Sequence, residues 1–139
     1  MIAIKDEIRI AAPASKVYEA LTLQAGYRGW WNAAGEVPEA VGGVANLHFV
    51  KEGKPVNMRF RIDEMKANES VRWTCVANDG PGWVGTTLSW RIKDAGGAVL
   101  VSFEHDGWKD PPPEMISQSW KHFLGSLKSY VETGTGQPW

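Results

Sequence analysis

The chain has 139 residues and a formal net charge of −1, from 15 basic and 16 acidic side chains spread along its length. That is the size of one domain, and the lack of any run of like charge argues against nucleic acid or an anionic membrane surface as partner. No stretch of about eighteen apolar residues is present to span a membrane.

The first segment, IAIKDEIRI, puts Ile2, Ile4, Ile8 and Ile10 on one parity and predicts a strand. Pro13 opens a helix, where its missing N–H is harmless, and Val17, Ala20 and Leu21 give that helix a short apolar face. A second short helical turn is expected over Gln24 to Trp31, weakened by Gly26 and Gly29. Gly42 and Gly43 then break the chain and let it turn sharply. Ala45, Leu47 and Phe49 alternate with polar neighbours, and KEGK forms a hairpin turn. Val56, Met58, Phe60 and Ile62 continue the alternation, followed by Val71, Trp73 and Cys75. Two more strands carry Leu88, Trp90 and Ile92, then Val101, Phe103 and His105. After DPPPEM the period changes. Ile116, Trp120, Phe123, Leu124, Leu127, Tyr130 and Val131 make a helical stripe that Gly134 ends. Lys121 and Lys128 are expected on its exposed face, and TGTGQPW as a loop.

Strands and helices are therefore segregated, which predicts an α+β fold with one antiparallel sheet. The apolar face of that sheet needs a cover, and only the last helix is long enough. A curved sheet wrapped around one helix leaves a space between them, and ligand sites favour such places.

Eight tryptophans are many for this length, and QAGYRGWWNAAGE places two side by side. Neighbours on a helical turn point about 100° apart, so one of Trp30 and Trp31 should pack on the sheet and the other form the lip of the cavity. Trp73, Trp90 and Trp120 fall on inward rows, while Trp83 and Trp108 stand near strand ends beside Gly82, Gly85 and Gly107. Each indole brings an N–H that wants a partner. The set reads either as a dry aromatic core or as the wall of a cavity.

The sequence has no P-loop, GxGxxG, GxSxG, HExxH or CxxC pattern. His48, His105 and His122 are far apart, and the single Cys75 argues against a structural zinc site and an internal disulfide. One thiol suits a reducing compartment, and the N-terminus shows no basic region followed by a long apolar run, so a cytoplasmic location is expected. His105 continues the inward parity of Val101 and Phe103. It could serve as acid, base or ligand anchor, or it could close the sheet end through a hydrogen bond. His48 lies on the polar parity and is expected to be solvated. Arg59, Arg61, Asp63 and Glu104 lie opposite the inward row and are expected to form cross-strand ion pairs.

Read together, APASKVYEALT, the WW after it, the GG before the next strand, FEHDGW and LKSYVETGTGQPW resemble the homologues of the heat-shock-protein-90 ATPase activator. These belong to the START-related (SRPBCC) superfamily. The resemblance runs over nearly the whole chain in the right order. It implies a helix-grip fold over residues 1–139: a curved six-stranded antiparallel sheet around a long C-terminal helix, with two short helices after the first strand. Members of the superfamily include ligand carriers, cyclases and stress proteins. The further N-terminal domain of the chaperone-activating eukaryotic members is expected to be absent here.

The expected function is binding of a small, largely apolar molecule between sheet and helix, with no cofactor and no metal. The expected wall is Trp31, Met58, Phe60, Trp73, Trp90, Phe103, His105 and Trp120. Two alternatives stand beside it: a cyclase- or dehydratase-like enzyme using His105, and a stress-response module with a chaperone partner.

Overall fold

The computed structural model describes residues 2–79 and 82–139. Strand β1 (Ile2–Ile10) leads into two short helices, α1 (Ala14–Ala20) and α2 (Gln24–Trp30). Five strands follow: β2 (Val44–Lys51), β3 (Lys54–Lys66), β4 (Ser70–Asn78), β5 (Thr87–Asp94) and β6 (Val99–Trp108). The chain closes on helix α3 (Glu114–Thr133). All strand pairs are antiparallel in the order β1-β6-β5-β4-β3-β2, which makes one six-stranded sheet. This is the α+β helix-grip arrangement.

The period-two rows fix which face is buried. Trp73, Leu88 and His105 stand abreast across β4, β5 and β6, and Val71, Trp90 and Phe103 form the next row. A large ring thus sits beside a smaller side chain across one strand gap, which lets the inner face pack densely. Trp120, Leu124 and Leu127 of α3 are buried against that face, and Gly134 ends the helix in the left-handed conformation. On the outer face Asp63 accepts from Arg61 at 2.7 Å, lies 4.0 Å from Arg72 and accepts from the Thr74 hydroxyl.

Helix α2 forms in spite of its two glycines, and packing explains why. A Cβ at Gly29 would lie 2.2 Å from the Tyr130 ring, so only a glycine allows α2 to rest on α3 there. Ser126, also on α3, donates to the Trp30 carbonyl at 2.7 Å.

Both sheet edges are met by side chains. At the β2 edge Asn32, fully buried, donates to the His48 carbonyl at 2.8 Å and accepts from the His48 N–H at 3.1 Å. Glu36 and Asn46 exchange two backbone hydrogen bonds beside it. At the β1 edge Lys128 donates to the Arg9 carbonyl at 2.6 Å, and Glu132 accepts from the Ala11 N–H at 2.7 Å. Lys128 is therefore tied to the strand as well as to Glu132, unlike the freely exposed residue expected from the helical stripe. Among the described residues no helix is long and apolar enough to cross a membrane.

Candidate functional site

Between the β2–β3 hairpin and the first half of α3 the sheet and helix separate, leaving a cavity of about 370 Å³. Strand ends supply Phe49, Val56 and Met58; helix α3 supplies Ile116, Trp120 and Phe123; Trp31, Trp83 and Trp108 complete the inner wall. Asn78 and Ser119 add polar atoms, and Lys51 stands at the rim. The space is near the small end of the roughly 300–1,000 Å³ typical of ligand pockets.

One wall belongs to a continuous aromatic cluster. Trp120 packs 5.1 Å from Trp31 and 4.4 Å from Phe103, and Trp90 lies 5.9 Å from Trp73 and 5.5 Å from Phe103. Of the expected wall residues, Trp31, Met58 and Trp120 line the cavity. Phe60, Trp73, Trp90, Phe103 and His105 lie behind them, each at most 2% exposed. The two readings of the tryptophan set thus divide the molecule between them: a dry core at mid-sheet and an aromatic wall at one end.

Trp30 and Trp31 do not diverge as helical neighbours would. Their rings stack at 5.6 Å with a 16° interplanar angle, and both are buried. Trp31 caps α2 in the right-handed region, but its φ of −117° is far from the regular helical value, so its side chain departs from the 100° spacing of the preceding turn. Trp30 donates to the Ala20 carbonyl at 2.8 Å and anchors α2 to α1, while Trp31 faces the cavity from the inside rather than forming its lip.

Part of the rim comes from the C-terminal segment that the sequence predicts as a loop. Residues 135–139 run back along α3 as a strap, with the Gln137 N–H donating to Ser126 Oγ at 2.6 Å. The Trp139 N–H donates to the Trp31 carbonyl at 2.8 Å, and the Ala33 N–H donates to the Trp139 carbonyl at 3.0 Å. This places the Trp139 ring at the cavity mouth, 5.9 Å from Phe49 and 57% exposed. Phe49, Val56, Ile116 and Phe123 were legible as inward residues; their distance along each element from the closed core was not.

His105 is fully buried, 4.6 Å from the Trp83 ring and 4.8 Å from the Trp108 ring. Its Nδ1 accepts from the Trp120 indole at 3.1 Å, and its Nε2 is 2.9 Å from the Thr86 hydroxyl. That hydroxyl spends its one proton on the Trp83 carbonyl at 2.6 Å, so Nε2 carries a proton and donates. The ring is a neutral tautomer with both nitrogens engaged, and burial pushes its pKa down to about 3. It positions Trp120 and the segment bearing Trp83, two elements of the cavity wall. Among the described residues no group of three or more His, Cys, Asp or Glu could hold a metal ion. Cys75 is buried, which pushes its thiol up to about 11.

His48 is half-buried and not simply solvated. Its ring nitrogens lie 2.7 Å from Asn57 Oδ1 and 2.9 Å from Glu36 Oε1, and these two acceptors raise its pKa.

Residues 11–132 match the family described as Activator of Hsp90 ATPase homolog 1-like protein. The chain belongs to that family. No curated protein matches it by sequence. Among solved structures, the activator-homolog chain is similar to the Aha1 dimer from Colwellia psychrerythraea, with 29% identity and a TM-score of 0.81 over 98% of this chain and 100% of that one. A protein from Chromobacterium violaceum shares 22% identity, with a TM-score of 0.80 over 94% of this chain and 97% of that one. A START superfamily protein from Mycobacterium smegmatis shares 16% identity, with a TM-score of 0.72 over 96% and 99% of the two chains. The last two likenesses are of fold alone.

Proposed function

We propose that this activator-homolog chain binds a small, largely apolar molecule in the cavity between the β2–β3 hairpin and α3. The observation that carries the reading is the cavity of about 370 Å³, with Trp31, Met58, Trp120 and Phe123 in its wall. Its mouth lies between Phe49 and Trp139. Apolar surface left open to water at such a place gains free energy when an apolar guest covers it. A cytoplasmic setting suits the lone buried thiol.

The test is a tryptophan-fluorescence titration with naphthalene, dodecanol and related apolar probes. Saturable binding in the micromolar range, about −8 kcal/mol, is expected. Val56→Trp should fill the space and abolish it. Absence of saturable binding across the panel would remove the reading.

A second reading rests on family membership: a role beside a heat-shock-protein-90-type chaperone. A measured change in the ATPase rate of such a chaperone on adding this chain would support it. No change at saturating concentration would count against it.

A further inference from the structure

The cavity reading leaves the chemistry of the guest open, and the following rests on that reading. We propose that the bound molecule is an amphiphile with a negatively charged head, its apolar body against the wall that Trp31, Met58 and Trp120 form and its head at Lys51. Two observations converge on this. Lys51 is the charged residue among those that line the cavity, and no acidic side chain lines it among the described residues. Lys51 stands directly opposite Lys54 in the β2–β3 register. Facing like charges repel. Neither lysine forms an ion pair among the described residues, nor does Glu52 in the turn between them. The hairpin end therefore holds two ammonium groups and one carboxylate, a net positive charge beside an apolar opening.

Among the described residues that line it, the opening thus offers a cation and no anion, the complement of an acidic head. Lys51 is exposed, so a carboxylate or sulfonate meeting it there stays partly hydrated and avoids the desolvation cost of a buried ion pair.

The experiment compares dodecanoate with dodecanol, two probes with the same chain and different heads. Both are titrated into the wild-type protein and into K51Q/K54Q, at low salt and at high salt. Wild type should bind dodecanoate roughly fivefold more tightly than dodecanol at low salt. That preference should vanish in K51Q/K54Q and at high salt, while dodecanol affinity stays the same in all four conditions. Equal affinity of wild type for the two probes would overturn the charged-head assignment and leave the apolar cavity standing. Binding of neither probe would overturn both.

Discussion

The Trp120 indole donates to Nδ1 of His105 across the gap between α3 and β6, at 3.1 Å. With Thr86 on the other nitrogen, the imidazole joins the covering helix to the far strand end and to the Trp83 carbonyl. His105→Phe keeps much of the volume but strands the Trp120 donor. It should cost about 1–3 kcal/mol in a urea unfolding experiment. A loss of under half that would mean that the bond contributes little to holding α3.

Acid should unmask the same residue. The folded pKa of His105 lies near 3, below the ordinary value of 6.5. Its contribution to stability is thus complete above about pH 6.5 and is lost progressively as pH falls toward 3. The full loss is on the order of 5 kcal/mol. Wild type should lose stability over this window more steeply than His105→Phe. Matching pH profiles would contradict the buried neutral ring.

His48 should behave in the opposite sense. Its pKa is raised by Asn57 and Glu36, so its contribution is present below pH 6.5 and fades as pH rises through the folded value. The side chain is 39% exposed and screened by solvent, which limits the effect to under about 1 kcal/mol. Imidazole NMR titration should find the His48 ring titrating above the ordinary value, and Glu36→Gln should lower it only part of the way because the Asn57 hydrogen bond remains.

Along α3, Leu124→Ala should cost about 2–5 kcal/mol, because Leu124 is buried against the sheet. Lys121→Ala should change stability by less than about 0.5 kcal/mol. Lys128→Ala should fall between them, since it removes the hydrogen bond to the Arg9 carbonyl. Chemical denaturation of the three variants checks the order.

At the turn into β2, Gly42 has φ +89°, and a Cβ at Gly43 would lie 2.6 Å from Pro38 Cγ. Double replacement by valine should cost at least about 1–3 kcal/mol. An unchanged melting temperature would show that the loop relaxes without penalty.

Much of this architecture was legible in the residues. The alternation of Leu88, Trp90 and Ile92 or of Val101, Phe103 and His105 depends only on strand geometry, which the chain carries locally. The α3 stripe likewise needs no knowledge of its partner. The cavity depends on more. Phe60 and Met58 share a parity, yet only Met58 reaches the open end, because that is decided by where α3 leaves the sheet. Trp139 carries only a loop pattern in the sequence, since its placement rests on backbone hydrogen bonds to Trp31 and Ala33, which have no side-chain signature. The stacking of Trp30 on Trp31 escaped for a related reason: the helix ends between them.

The side chain of Asn32 presents one donor and one acceptor to the His48 backbone, as another strand's peptide group would. With Glu36 on Asn46, it occupies the outward ladder of β2 where a foreign chain would otherwise add. Lys128 and Glu132 do the same at the end of β1. Strand-by-strand accretion into fibres therefore meets no free template at these positions. Asn32→Leu would reopen that template, and light scattering should then show this variant associating at a concentration where wild type does not.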